Sequence, residues 1–243
     1  MFDSAAAENV GAADLTWPEV GERAAAGVIL AVPVGATEQH GPHLPLSTDT
    51  DIAVALSARL AALRSDVLVA PAIPYGSSGE HAGFPGTMSI GQAALELLIV
   101  ELCRSATDTF DRILLVSGHG GNLEPLRNAC ALLRAESRDV RMFMPRYRGD
   151  PHAGRSETSI QLALQPGRVR AQRAAAGDTR PLSEILPLMR AGGVRAVSAN
   201  GVLGDPAGAT ADEGAALLAQ LTTDLHDQSR LWWPVASRER TGT

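Results

Sequence analysis

Apolar residues along this chain alternate between short continuous runs and longer segments with helical spacing. The short runs are rich in Val, Ile and Leu, which is typical of strands buried on both faces of a parallel sheet. They lie at 28–34, 67–70, 112–117 and 140–145. The helical spacing recurs near 51–63, 92–109, 123–137 and 209–228, and again from about Glu157.

This alternation of strands and helices predicts an α/β domain with a mostly parallel sheet. No internal repeat and no low-complexity linker divides the chain, so we expect a single domain over residues 16–243. Residues 1–15 are small and polar, and we expect them to be poorly ordered. Parallel sheets of this kind bind ligands beyond the carboxyl ends of their strands, so the loops that follow the strands are the candidate site.

The amino-acid composition excludes several kinds of catalytic and metal-binding centre. All 21 basic residues are arginine, which excludes a lysine Schiff base, a Walker-type phosphate lysine and a Ser-Lys dyad. The two cysteines, Cys103 and Cys130, form no C-x-x-C pair, so a four-cysteine zinc site and a thioredoxin-type centre are excluded too. Both lie in helical patterns, and we expect them to be buried and reduced.

Charge and hydropathy also narrow the possible partners and compartment. The net charge is -6 and no basic stripe offsets it, which argues against a nucleic-acid partner. The longest apolar runs are about ten residues, too short to cross a bilayer. The first residues carry two acids before any base and do not resemble a signal peptide, so we expect a cytoplasmic protein.

The loop after the first predicted strand contains Glu38, His40 and His43, and Asp49 follows. Carboxylates and imidazoles are common metal ligands, and Glu38 and His40 can point the same way if the backbone is extended there. The alternative is a polar surface loop that ends in a helix-capping aspartate. Asp51 is the rival of Asp49 as a ligand.

Two later loops carry the same residue types. His119 lies among glycines after the third strand, where the backbone can approach a ligand closely, although an incidental histidine in a glycine turn is the alternative. His152 lies in the loop before a predicted helix, and Glu157 lies near the start of that helix. Glu157 could complete a metal site and His152 could shuttle a proton, but ordinary helix capping explains this segment equally well.

A fourth loop, 76–87, contains Ser78, Glu80 and His81, which could contact a ligand or simply face solvent. Five of the six histidines fall in these four loops, and only His226 lies in a plain helix. Together the loops predict a carboxylate- and histidine-bound metal site at the carboxyl edge of the sheet. Such a mixed site suits Zn, Mn or Fe(II) and favours hydrolysis of an amide or related C–N bond by metal-activated water.

The sequence blocks at 35–46, 84–87, 118–122 and 152–159 resemble the creatininase family of metal-dependent amidohydrolases. The resemblance implies a three-layer α/β sandwich and two divalent ions per subunit, Zn and/or Fe(II) or Mn, in a homo-oligomer that is a hexamer or octamer. It implies a bridging role for Asp49, and the implied metal ligands are Glu38, His40, Asp49, His119 and a later glutamate. Creatininase proper carries that glutamate two residues after the histidine, where this chain has Gly121, so Glu157 takes this role by resemblance to other members.

Blocks at 149–154, 186–190, 192–198 and 201–206 resemble family members that remove a modified C-terminal Val-Tyr portion from a short ribosomally made precursor peptide. In a hydrolase of this kind we expect His152 and Glu80 to be catalytic. Contacts with substrate are expected from Ser78, His81, Gly120 and Arg155, and orientation of the ligands from His43 and Asn122.

Three alternatives remain open from the sequence. One is a deformylase acting on a ribosyl-pyrimidine in flavin or deazaflavin biosynthesis, and another is an enzyme resembling creatinine amidohydrolase. The third, from a different class, is a catalytically silent scaffold that binds metal for assembly.

Overall fold

A parallel sheet forms the centre of the computed structural model, which describes residues 11–146 and 149–234. Within these residues the sheet has four strands in the order β2-β1-β3-β4. Their bounds are β1 Ile29–Val34, β2 Val67–Val69, β3 Arg112–Ser117 and β4 Asp139–Phe143. All neighbouring pairs are parallel, which confirms the prediction from the apolar runs.

Helices connect and cover these strands. Their bounds are α1 Trp17–Ala25, α2 Thr48–Leu63, α3 Gln92–Ala106, α4 Leu123–Ala135, α5 Arg155–Leu164, α6 Leu182–Gly192 and α7 Ala211–Trp232. The pattern of apolar residues did not predict α1 or α6. Helix α1 buries none of its residues, and α6 buries only Ile185 and contains Pro187, so neither carries the continuous apolar stripe of a core helix.

The two faces of the sheet have separate hydrophobic cores. Leu30, Val32 and Val34 of β1 pack into a cluster with α3 and α4. Ile29 and Ala31, which alternate with them, pack into a second cluster with α2, α5 and α7. Since side chains along a strand point alternately to opposite faces, both faces of the sheet are covered by helices. The fold is therefore a three-layer α/β sandwich, as the resemblance implied.

Cys103 of α3 and Cys130 of α4 lie within the first of these cores, as predicted. Burial raises the pKa of the Cys103 thiol to about 12 and that of Cys130 to about 11. Both thiols therefore stay protonated near neutral pH, and a protonated thiol is a poor nucleophile.

The strand order creates a crevice between β1 and β3. The chain leaves β1 toward β2 on one side, and β3 returns to the other side of β1 before the chain continues to β4. Val34 pairs with Ser117, so β1 and β3 end at the same level. Loops that diverge from adjacent strand ends leave an opening between them, which is where open α/β sheets bind their ligands.

The structure describes only part of the N-terminal segment 1–15. Residues 1–10 lie outside the described residues, whereas Ala12–Asp14 form a short 3-10 helix. Ala12 and Leu15 pack against the first core. The division of the chain at residue 15 stays a prediction. Among the described residues, no helix combines the length and apolar character required to cross a bilayer.

Helix α7 crosses α5 at Gly214. A Cβ atom at this position would lie 1.8 Å from the carbonyl oxygen of Ser159 and 2.8 Å from the nitrogen of Ile160. We therefore expect Gly214→Ala to destabilise the fold by about 1–3 kcal/mol, because the two helices must separate. The midpoint of urea unfolding measures this change.

Gly21→Ala in α1 is the matched control for this prediction. Gly21 is also helical, but a Cβ atom there would meet nothing within 4 Å. The substitution is expected to raise stability by about 0.4–1 kcal/mol by restricting the unfolded chain. Equal unfolding midpoints for the two variants would contradict the packing argument.

Candidate metal centre

The loops after β1 and β3 and the start of α2 bring the predicted ligands to the crevice. Glu38 and His40 follow β1, His119 follows β3, and Asp49 lies in the first turn of α2. Gly118 permits this approach, because a Cβ atom there would lie 2.1 Å from the carbonyl oxygen of Asp49. The close contact between the end of β3 and the start of α2 therefore requires glycine.

Asp49 lies between two histidines, with one carboxylate oxygen toward each ring. Its Oδ1 is 3.2 Å from His40 Nε2, and its Oδ2 is 3.3 Å from His119 Nδ1. The Asp49 side chain is 2% exposed. The rival residue Asp51 lies elsewhere: its Oδ2 accepts hydrogen bonds from Ser47 and Arg168. The structure thus brings Asp49 into the cluster and leaves Asp51 outside it.

Glu38 is fully buried beside three histidines. Its Oε2 lies 3.3 Å from His119 Nε2, and its Oε1 lies 3.2 Å from His81 Nε2 and 3.7 Å from His152 Nδ1. Neither oxygen has a hydrogen-bond partner of good geometry among the described residues. A buried carboxylate without partners is costly, and coordination of a cation is one way to satisfy it.

Glu157, in the first turn of α5, extends the cluster on the side of His40. Its Oε2 lies 3.9 Å from His40 Nε2 and accepts a 2.6 Å hydrogen bond from the backbone N–H of Ala153. Ala153 has φ +52°, a conformation that L-residues rarely adopt, and its backbone N–H bonds the carboxylate in that conformation.

Gly121 occupies the position of the glutamate in creatininase proper, and no side chain fits there in this arrangement. A Cβ atom at Gly121 would lie 2.4 Å from His119 Nε2 and 2.6 Å from Glu80 Oε1. The carboxylate near His40 therefore comes from Glu157 on α5 rather than from the loop after β3.

The spacing of these atoms fits a divalent cation. Zinc binds nitrogen and oxygen ligands at about 2.0–2.2 Å, so tetrahedral ligands of one ion lie about 3.3–3.5 Å apart. Asp49 Oδ1 and His40 Nε2 approach at 3.2 Å, and Asp49 Oδ2 and His119 Nδ1 approach at 3.3 Å. The other nitrogen of His119, Nε2, lies 2.9 Å from the carbonyl oxygen of Ser77. Among the described residues, three groups of three could each hold an ion: Glu38, His40 and Asp49; His40, His152 and Glu157; and Glu38, His81 and His152.

Burial and neighbouring charges shift the pKa values of the carboxyl and imidazole groups in the cluster. Burial raises the pKa of Glu38 to about 8 and also raises that of Glu157. Burial disfavours the charged forms of His40 and His119, but the Asp49 carboxylate near His40 and the Glu38 carboxylate near His119 outweigh it and raise each pKa to about 10. Since histidine binds metals in its neutral form, cations have to displace protons from these two rings.

The two predicted catalytic residues lie at the cluster. The His152 ring lies 4.3 Å from the His40 ring, and burial lowers the pKa of His152 well below its ordinary value, so it is neutral near pH 7. Glu80 is about one-third exposed, and its Oε1 lies 3.5 Å from His119 Nε2. Their catalytic roles stay predictions.

The residues predicted to contact substrate are distributed unevenly. His81 and Gly120 line the cavity at the cluster. The Ser78 side chain is fully buried, and its hydroxyl has no hydrogen-bond partner of good geometry among the described residues. Arg155 does not point to the cluster, because its guanidinium bonds Glu213 of α7 at 2.9 Å. Its proposed contact with substrate therefore has no support from its position.

His43 and Asn122 were predicted to orient the ligands. His43 Nε2 instead contacts the Thr158 hydroxyl at 2.9 Å. Asn122 ties two loops together, because its Nδ2 donates to the carbonyl of Gly35 and its Oδ1 accepts from the N–H of Ser77. Asn122 thus holds the loop after β1 against the loop that carries Glu80 and His81, while His43 bonds none of the ligands.

The cluster has an apolar rim that no motif in the sequence indicates. A cavity of about 190 Å³ opens at the ligands, and a larger one of about 500 Å³ shares Pro151 and Leu182 with it. The apolar residues of the rim come from the loop after β4 and from α6, and they are Met144, Pro145, Pro151, Leu182 and Met189. They lie far apart along the chain and have no common periodicity, so no pattern in the sequence groups them.

Comparison with known proteins identifies the family. The creatininase family model, described as creatinine amidohydrolase, matches residues 13–228. The chain belongs to the creatininase family. In agreement with the description of the family, the chain is an amidohydrolase, and its cluster occupies the crevice between β1 and β3.

Individual relatives add detail within the family. The mycofactocin precursor peptide peptidase of Mycolicibacterium smegmatis is 50% identical over 214 residues, which are 85% of this chain and 86% of the relative. A solved structure named creatininase Mn covers 94% of this chain and all of its own, with a TM-score of 0.79 and 28% identity. A Zn-Zn form of a creatininase variant has the same TM-score at 27% identity and the same coverage.

Proposed function

We propose that this protein is a metal-dependent peptidase that cleaves the modified C-terminal Val-Tyr portion from the mycofactocin precursor peptide. The observation that carries the proposal is the buried cluster at the crevice, where Asp49 directs one oxygen to His40 and the other to His119. The identity to the Mycolicibacterium smegmatis peptidase, 50% over 85% of this chain, supports the substrate.

The ligand set that we propose is the one that the resemblance implied: Glu38, His40, Asp49, His119 and Glu157. Two divalent cations held there would polarise the scissile carbonyl and activate water. Zn, Fe(II) and Mn all suit this mixture of carboxylates and imidazoles, and the related structures named for Zn and Mn support that range.

The protein side chains supply proton transfer and orientation. His152 is neutral near pH 7 and directs Nδ1 toward the Glu38 carboxylate at 3.7 Å, so it can accept a proton at the cluster and pass it to the leaving amine. Glu80, at the open side of His119, offers a carboxylate to the N–H groups of the peptide.

The shape of the cleft favours a peptide over creatinine. The cavity at the ligands shares Pro151 and Leu182 with a second cavity of about 500 Å³, and the two together offer more room than a single small ring needs. Apolar side chains at the rim suit the Val and Tyr residues of the substrate, because such contacts exclude water without demanding hydrogen bonds.

Leu182 tests the role of the rim. It is 43% exposed and lines both cavities, so its removal should leave the fold intact. We expect Leu182→Ala to raise KM for the peptide about tenfold with little change in kcat, because a contact made equally in the ground and transition states is lost. Steady-state kinetics on the precursor peptide measures both constants.

Leu188→Ala is the control for this test. Leu188 lies on the same helix and is 48% exposed. It should leave KM unchanged. An equal rise in KM for both variants would show that α6 as a whole, rather than the rim, affects binding.

The proposed function is tested by presenting the purified protein with each candidate substrate. Mass spectrometry should detect release of the Val-Tyr portion from the modified precursor peptide, while creatinine and a formylated ribosyl-pyrimidine should remain intact. Turnover of either small molecule, without cleavage of the peptide, would replace the proposal with the corresponding alternative. Metal analysis of the anaerobically purified protein would identify the ions.

We also propose a cytoplasmic homo-oligomer, a hexamer or octamer, that binds neither nucleic acid nor membrane. The net charge of -6 supports the absence of a nucleic-acid partner. Light scattering of the metal-loaded protein would give the number of subunits.

A further inference from the structure

Gln39 lies between two of the ligands in the chain, is 5% exposed, and has no assigned role. The orientation of its carboxamide is determined by the backbone on either side. Its Oε1 accepts a 2.8 Å hydrogen bond from the N–H of Gly41, and its Nε2 donates to the carbonyl of Gly201 at 3.0 Å. A flipped amide would place acceptor against acceptor at Gly201 and donor against donor at Gly41.

The second hydrogen on Gln39 Nε2 determines which nitrogen of His81 is protonated. Gln39 Nε2 lies 2.9 Å from His81 Nδ1, so Nδ1 accepts the hydrogen bond. A neutral imidazole that accepts at one nitrogen carries its proton on the other. His81 therefore carries its proton on Nε2, the nitrogen that lies 3.2 Å from Glu38 Oε1. In this tautomer His81 directs a proton toward the Glu38 carboxylate and has no lone pair for a cation at Nε2.

The backbone of Gln39 determines the tautomer of His152 in the same way. His152 Nε2 lies 2.8 Å from the carbonyl oxygen of Gln39. An unprotonated Nε2 would bring two lone pairs together at this distance, so Nε2 carries the hydrogen and donates it. His152 then directs the lone pair of Nδ1 toward the cluster. The 3.0 Å approach of Gln39 Nε2 to His152 Nε2 is a contact without a hydrogen bond, since both amide hydrogens are already used.

The contact between the Gln39 carboxamide and the backbone at residue 201 depends on glycine at position 201. Gly201 has φ +81°, and a Cβ atom there would lie 1.9 Å from Gln39 Oε1 and 2.4 Å from its Cδ. Glycine at this position lets the 201 backbone contact the carboxamide directly. The segment after α6 and the loop after β1 thus meet at one glutamine, which contacts both histidines.

We propose that Gln39 is a positioning residue that sets opposite roles for two histidines of the cluster. Its carboxamide directs the Nε2 proton of His81 toward Glu38, and its backbone carbonyl leaves His152 Nδ1 as a proton acceptor. The tautomers follow from contacts in the structure alone, whereas the use of the His152 lone pair in peptide cleavage rests on the proposed function.

The test measures the tautomers directly. Nitrogen-15 NMR spectra of zinc-loaded protein labelled at the histidine rings distinguish a protonated ring nitrogen from one with a lone pair. Signals are assigned with His81→Asn and His152→Asn variants. We expect both rings in the unsubstituted protein to carry the proton on Nε2. A proton on Nδ1 of either ring would overturn the proposal, and this measurement requires no substituted Gln39.

Two substitutions at Gln39 extend the test. Gln39→Glu keeps the shape but only accepts hydrogen bonds, so the proton of His81 should move to Nδ1. Gln39→Met removes the amide donor, and the His81 signals should show a mixture of tautomers. Gln161→Met is the matched control, because Gln161 is also fully buried but donates to the carbonyl of Thr48, away from both histidines. Unchanged His81 signals in both Gln39 variants would contradict the proposal.

Kinetics separates this proposal from the proposed function. Partners that orient metal-site histidines typically contribute about 10–100-fold in activity, so Gln39→Met should lower kcat for the peptide by about that factor while KM changes little. A protein that shows the expected tautomers but does not cleave the peptide would overturn the proposed function and leave the tautomer assignment standing. Unchanged kcat in a variant with altered tautomers would show that the tautomers do not serve the reaction.

Discussion

Replacing Asp49 with alanine is expected to remove bound metal and to lower kcat/KM for the peptide by about 10³-fold or more, since metal ions stabilise the transition state by several kcal/mol. The reason is that the two oxygens of this carboxylate lie 3.2 Å from His40 Nε2 and 3.3 Å from His119 Nδ1. Without it, the ligands that follow β1 and the one that follows β3 share no common carboxylate. Metal analysis and steady-state kinetics measure the two effects.

Asp51→Ala is the matched control for Asp49→Ala. Asp51 lies in the same first turn of α2, but its carboxylate bonds Ser47 and Arg168 outside the cluster. The control should keep its metal content and its activity within a few-fold of the unsubstituted protein. Two bound ions per chain in Asp49→Ala would contradict the bridging role, and so would loss of metal from Asp51→Ala alone.

His152→Ala is expected to lower kcat by about 10²–10⁴-fold, the usual contribution of a general acid or base, without loss of metal. The His152 ring lies 4.3 Å from the ring of His40, and its Nδ1 faces the cluster at 3.7 Å from Glu38. A histidine that shuttles a proton leaves the ions in place when it is removed, whereas a histidine that binds an ion does not. Metal content therefore separates the two roles.

The control for His152 is His226→Ala, since His226 lies on α7 beside Asp227 and outside the cluster. It should behave as the unsubstituted protein does. Full activity of His152→Ala would favour the catalytically silent scaffold, while loss of an ion from this variant would make His152 a ligand of the kind that its proximity to His40 and Glu157 allows.

Local patterns in the sequence predicted most of the fold. The apolar runs became β1 to β4, and the segments with helical spacing became α2 to α5 and α7, because a buried strand or a core helix must repeat apolar residues at its own period. Helix α1 and helix α6 bury too few residues to produce that signal. The same limitation left the rim of the cleft, which α6 helps to form, without a prediction.

The sequence by itself determined that histidines and carboxylates gather in the loops after the strands, and the motifs there indicated the family. Only the tertiary structure placed Asp49 between His40 and His119, directed Arg155 to Glu213, and joined Gln39 to Gly201. Residues distant along the chain meet in these contacts, and their distances depend on how the strands and helices pack. The periodicity of apolar residues indicates which face of its own helix or strand a residue occupies. Its partner on another element is determined only when the packed layers bring the loops together.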